Sequence, residues 1–225
     1  MIDVHAIMTA LSRDRPAFHS EADFQHAFAW RMQMGYPHLR IRLEYPFHCE
    51  DETIDHVDIV AFDKNETTAL EIKYKTAPFF APLKEDLFYL KGHSAQDLGR
   101  YDFLKDVYRI EKYTAQRRNW AGYAVLLTND SAYWNPSNRR RSVCDEFRLT
   151  DKRMITGELS WGEAAGKGTT KGREVSIRLK GSYTCEWFDY SEFKESEYVE
   201  GSGKFRYLAI GIAWAGHSRI PRTPY

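Results

Sequence analysis

The chain has 225 residues, 43% of them hydrophobic and 15% aromatic, enough to bury a sizeable core as one unit or as a core with an appended lobe. Its 32 basic and 32 acidic residues cancel, so no overall positive field draws a polyanion toward it, and contact with nucleic acid has to come from local clusters. No run of eighteen apolar residues and no charged, apolar leader is present at Met1-Ile-Asp-Val-His, which argues against a membrane span or secretion and points to the cytoplasm.

The first element in chain order is a helix from Glu21 to about Met34. Ser20 caps it, with Asp23 three residues on in a weak capping-box arrangement. At 100° per residue Glu21 shares a face with Phe24 and Phe28, so its carboxylate is expected at the end of the apolar stripe that faces a sheet. Ile54 to Phe62 and Thr68 to Tyr74 follow as strands, rich in Val, Ile and Phe, around the turn Asp63-Lys64-Asn65-Glu66. An even-length loop centred between Lys64 and Asn65 brings Asp58 opposite Glu71, roughly 5 Å apart at Cβ. Like charges so placed are destabilising unless a cation compensates them. Period-two alternation adds Lys73 to the face of Glu71, sends Leu70, Ile72 and Tyr74 to the other face, and puts Asp55 on the face away from Asp58, in a flanking role.

The next helix is expected over His93 to Glu111, with Gln96 and Arg100 on one face and Asp97 and Tyr101 on another. Tyr123 to Asp130 is a continuous apolar run of the kind buried in a central sheet, ending in the polar Thr128-Asn129-Asp130. Trp134-Asn-Pro-Ser-Asn then leads to Arg139-Arg140-Arg141, a basic loop that could grip phosphates. Gly162 to Arg173 is superficially like a phosphate loop but has the wrong order of Gly and Lys and precedes a strand, so it is expected to be a flexible hairpin connection. Beyond Arg153 the chain reads as β-rich, over Met154–Trp161, Glu174–Leu179, Tyr183–Phe188 and Phe205–Trp214, before a proline-broken tail from Ser218. Cys49, Cys144 and Cys185 are too dispersed for a disulfide framework or a zinc site, and His48, Cys49 and His56 make a poor soft-metal set.

Asp58, then Glu71-Ile-Lys73 on the next strand, resembles the signature of the PD-(D/E)xK, or restriction-endonuclease-like, nucleases: an acid at a strand start, a spacer, then acid-x-Lys. Val57 stands where the pattern has proline. The resemblance covers roughly residues 20 to 130. It implies an α/β fold with a central mixed β-sheet flanked by helices, here a nuclease core over residues 1–150 with a β-rich C-terminal extension over 151–225 packed on it. It further implies a Mg²⁺-dependent nuclease, Mn²⁺ being an alternative, that hydrolyses phosphodiester bonds in nucleic acid, expected to be DNA, as an endonuclease leaving a 5′-phosphate. Asp58 and Glu71 would hold the metal with the carbonyl of Ile72, Lys73 would orient or deprotonate a water, and Glu21 would be an accessory acid. Gln96, Arg100 and Tyr101 loosely match a Gln-x-x-x-Tyr helix of recombination-type members and would face substrate, together with Arg139, Arg140 and Arg141. The alternatives are exonuclease or structure-selective cleavage and, from another class, an inactive nucleic-acid-binding or protein-interaction module on a nuclease scaffold. The sequence leaves the oligomeric state open, a homodimer included.

Overall fold

A computed structural model describes residues 2–83, 86–137, 142–193 and 199–213. The architecture is α/β. A mixed six-stranded sheet lies between two layers, and its strands are β1 (Arg40–His48), β2 (Ile54–Phe62), β3 (Thr67–Lys75), β6 (Trp120–Thr128), β11 (Lys204–Ile212) and β9 (Trp187–Glu192), in that spatial order. All neighbours are antiparallel except β3 and β6. That parallel step requires a crossover, and α3 (Gln96–Gln116) supplies it.

One face of the sheet carries α1 (Val4–Asp14), α2 (Glu21–Gly35) and a small sheet of β4 (Phe79–Leu83), β5 (Asp86–Leu90) and β10 (Glu200–Gly201). The other face carries α3 and the hairpin β7 (Met154–Leu159) and β8 (Ile177–Thr184). Alternation along β3 divides its side chains as the pattern predicts. Leu70, Ile72 and Tyr74 enter the core under α1 and α2, while Ala69 enters the core under α3.

α2 begins where expected, because the Ser20 hydroxyl accepts the Asp23 amide at 3.1 Å. The Asp23 carboxylate does not return to Ser20, as a capping box would. It accepts the His19 amide, and both its oxygens accept from Arg15 Nη2 at 2.8 Å. Phe24, Phe28 and Met32 then bury the inner face. β6 is buried along nearly its whole length, which explains its unbroken apolar run.

Strands from both sides of residue 150 share the central sheet, since β11 pairs with β6 and β9 with β11. The expected strand over Tyr183–Phe188 does not form as such. β8 continues through Gly181 to Thr184, and β9 starts at Trp187. A register shift against β7 between Thr156 and Gly157 lets β8 pass through Gly181 and leaves Lys180 and Gly181 without ladder partners. Glu111 of α3 accepts both of those amides, at 2.9 and 2.7 Å, and so pins the bulge. The Gly162 to Arg173 stretch does connect the β7–β8 hairpin, around the short α4 (Lys167–Thr170). Among the described residues no helix is long and apolar enough to cross a membrane.

Gly122 of β6 lies opposite Ala69 of β3, and a Cβ there would come within 2.7 Å of the Ala69 carbonyl oxygen and 2.6 Å of Ile110. Gly122→Ala should therefore destabilise the fold by roughly 1–3 kcal/mol through overpacking, read as a lower urea midpoint at unchanged m-value. An unchanged midpoint would contradict this close approach.

Candidate functional site

The site forms where β2 and β3 part. Their ladder runs from Phe62 opposite Thr67 to Ile59 opposite Leu70 and ends there. The register is the one read from the turn, but the next pair, Asp58 and Glu71, does not join the ladder. Two features mark the parting. Glu44 on β1 has φ 48, and the β1–β2 ladder skips the Glu44 and Asp58 pair. Gln25 of α2 spans the gap, donating to the Glu44 carboxylate at 2.8 Å and to the Asp58 carbonyl at 2.7 Å.

The parting strips the β3 edge of its strand partner, and buried amides need acceptors. Side-chain carboxylates supply them. Asp58 Oδ2 accepts the Ile72 amide at 2.6 Å, and Glu21 Oε2 accepts the Tyr74 amide at 2.8 Å. The face assignment of Glu21 from helical spacing is thereby met, while Asp58 reaches along β3 instead of standing directly across from Glu71.

Glu71 and Lys73 point to α3. Glu71, 1% exposed, accepts from Arg109 Nη1 at 3.2 Å and from the Tyr113 hydroxyl at 3.4 Å. Lys73 Nζ lies 3.0 Å from Asp106 Oδ2 and donates to the Ile72 carbonyl at 3.3 Å. Arg109 also donates to the His56 carbonyl at 2.6 Å and to the Tyr113 hydroxyl at 2.9 Å, and lies 3.5 Å from Asp106 Oδ1. About two turns of α3, from Asp106 to Tyr113, thus clamp β2 and β3 together.

Alternation fails for Asp55. Val57 and Val60 both belong to the core under α3, so the strand changes phase around Asp58. Asp55 comes onto the α3 side, 3.8 Å from Lys112, and lines with Lys73, Asp106, Arg109 and Lys112 an open cleft of about 360 Å³. Asp55 therefore stands on the α3 side and not on the opposite face that strict alternation gives it.

The electrostatics are unbalanced. Four carboxylates, of Glu21, Asp58, Glu71 and Asp106, interact with two cations, Lys73 and Arg109. Burial raises the Asp58 pKa against the pull of Lys73 and the Ile72 amide. Burial, and next the Asp106 carboxylate, push Glu71 well above the ordinary range, with Arg109 opposing. Burial lifts Asp106 to about 6 although Lys73 and Arg109 draw it down. Desolvation works against the charge of Lys73, but Asp106, Asp58 and Glu21 outweigh it and raise its pKa.

The substrate-facing candidates lie elsewhere. Gln96 donates to Asp130 Oδ2 at 2.9 Å, and Arg100 to the Ala132 carbonyl at 2.6 Å. Both line a second cleft, of about 430 Å³, that Lys73 does not line. Tyr101 is buried, its hydroxyl donating to the Val175 carbonyl at 2.8 Å. Arg139, Arg140 and Arg141 lie outside the described residues. Asn129 is fully buried and ties Ala77 to Ser202, so the polar end of β6 joins loops together. Asp106, Arg109, Tyr113 and Gln25 were not singled out from the sequence. Their signal is the i, i+3, i+7 spacing of Asp106, Arg109 and Tyr113 on the helix after an acid-x-Lys strand, among the apolar Val107 and Ile110.

No protein-family model matches the chain, and no solved structure matches it. It is 30% identical over 105 residues to Formin-like protein 7 of Oryza sativa subsp. japonica, a stretch covering 44% of this chain and 8% of that protein. So small a share of the relative assigns no family.

The raised Asp106 pKa has a pH consequence. The folded state retains a proton that the unfolded chain releases near 3.8, so the stability attached to that proton is present below 3.8 and is lost as the pH rises through about 6. The parent's unfolding free energy should fall between pH 4 and 7 by roughly 1–3 kcal/mol more than that of Asp106→Asn. Parallel curves in denaturant titrations would contradict the assignment.

Proposed function

We propose that the chain is a metal-dependent nuclease with a restriction-endonuclease-like core, hydrolysing phosphodiester bonds in DNA, as an endonuclease. The observation that carries this reading is the four-against-two excess of carboxylates over cations where β2 and β3 part. Such an excess is relieved either by protons, which the raised pKa values of Glu71 and Asp106 favour, or by a bound cation that takes their place.

The donors at the fork fit a hard divalent ion in kind. They are oxygens only, from Asp58, Glu71 and the Ile72 carbonyl, the donor class Mg²⁺ and Mn²⁺ take while keeping several waters. Among the described residues no group of three or more His, Cys, Asp or Glu side chains is gathered at ligand spacing, so waters and substrate oxygens would complete the shell. When bound, the ion would lower the pKa of a water and neutralise charge building on the phosphoryl group.

The chain's own residues divide the remaining work. Lys73 reaches the open cleft with its ammonium fixed between Asp106 and the Ile72 carbonyl, a position from which it would stabilise negative charge growing on a phosphate oxygen and orient an attacking water. Asp106 holds that ammonium in place. Arg109 and Tyr113 hold the Glu71 carboxylate, and Glu21 and Gln25 keep the fork open by binding the Tyr74 amide and the Asp58 carbonyl.

A second reading, an inactive binding or interaction module on the same scaffold, is favoured by one observation: Glu71 and Lys73 already have protein partners in Arg109 and Asp106. The two readings separate on supercoiled, linear and single-stranded DNA incubated with Mg²⁺, Mn²⁺ or EDTA. The nuclease reading expects cleavage with either ion, none in EDTA, and losses of about 100-fold or more in Asp58→Ala and Lys73→Ala. Cleavage that survives both substitutions or EDTA would sink the mechanism, and tight DNA binding without cleavage would favour the inactive module.

A further inference from the structure

The second cleft has a feature the fork does not explain. Arg100, 6% exposed, lies at its wall with its guanidinium over the Tyr133 ring. One amino group donates to the Ala132 carbonyl at 2.6 Å and the other reaches only the Cys144 sulfur, at 4.0 Å, while Nε is buried with no partner. Among the described residues Arg100 has no ion-pair partner. A buried guanidinium without a counter-anion is costly, and buried charges are ordinarily paired.

A second observation converges on the same place. Ser94, Gln96 and Asp97 line this cleft, so the N-terminus of the 21-residue α3 opens onto it, and the residue at the cap position is Ala95, which offers no side-chain acceptor. The first turn of a helix presents unsatisfied amides and the positive end of the dipole. Ser142 and Arg148 complete a wall of donors, Arg148 being paired with Asp145 at 2.8 Å. The one carboxylate in the lining, Asp97, accepts the Leu98 amide at 2.9 Å.

We infer that this cleft is a binding site for a phosphate group, held by Arg100 and the amino end of α3. A tetrahedral oxyanion supplies the counter-charge Arg100 lacks and an acceptor for the helix end that Ala95 leaves uncapped, beyond the Leu98 amide already held by Asp97, and a cleft of about 430 Å³ admits a phosphate with the sugar attached to it. The phosphate comes either from a terminal monoester or from a diester within a chain. The site is distinct from the fork and needs no cleavage there.

The full chain in EDTA is titrated with inorganic phosphate, a 5′-phosphorylated oligonucleotide and its unphosphorylated counterpart, by calorimetry. Arg100→Gln tests the guanidinium. Ser94→Glu, a solvent-side change before the helix, tests the site with a group that places negative charge at the helix end without emptying the core. Saturable binding of phosphate or of either oligonucleotide, weakened tenfold or more in both variants and retained in Asp58→Ala, is the expected result. Preference for the phosphorylated oligonucleotide assigns a terminal monoester, and equal binding of the two assigns a diester. Absence of saturable binding to the parent, equal binding by both variants and the parent, or loss in Asp58→Ala alone would overturn the proposal. Failure of cleavage in Mg²⁺ with this binding intact would instead count against the nuclease reading only.

Discussion

The parting of β2 and β3 at Asp58, just beyond the Ile59–Leu70 pair, is the constraint on which the rest of the site depends. Separating two strands inside a protein strands main-chain amides, each of which costs about 1–3 kcal/mol if left unsatisfied. Here the amides of Ile72 and Tyr74 are accepted by the carboxylates of Asp58 and Glu21. The solution to a backbone problem therefore draws acids from two separate elements to one edge of β3. Since Glu71 and Lys73 belong to the same stretch of strand, the charges accumulate there of necessity.

That accumulation explains why α3 carries Asp106, Arg109 and Tyr113. Buried charges persist only when paired and hydrogen-bonded, and Arg109 ties Glu71, Tyr113 and the His56 carbonyl together while Asp106 takes Lys73. The same helix runs from the phosphate-site cleft at its first turn to Glu111, which stabilises the bulge of β8. One helix thus links both clefts and the β7–β8 hairpin, with Gly122 allowing β6 to approach β3 beneath it.

The parts legible in the sequence were those governed by local chemistry. The Asp63–Glu66 turn set the register of β2 and β3, Ser20 set the start of α2, and the apolar run from Tyr123 placed β6 at the centre. β1 was harder to see, because Arg40, Arg42 and Glu44 interrupt it and Pro46 sits within it, features of an edge strand. What alternation could not foresee was the change of phase at Asp58, since the positive φ of Glu44 and the Gln25 bridge arise from tertiary packing. For the same reason Asp55 was placed on the other side, and Asp106 and Arg109 did not stand out. Buried charge pairs leave no pattern in one segment alone, because their partners lie on other elements.

The proposal that the excess negative charge at the fork binds a divalent cation has a direct structural test. Crystals soaked in Mn²⁺, with anomalous differences measured above the manganese edge, test it directly. The expected result is a peak about 2.0–2.4 Å from carboxylate oxygens of both Asp58 and Glu71, with Arg109 withdrawn from Glu71. A fork without manganese at saturating Mn²⁺, with the contact between Glu71 and Arg109 unchanged, would contradict it.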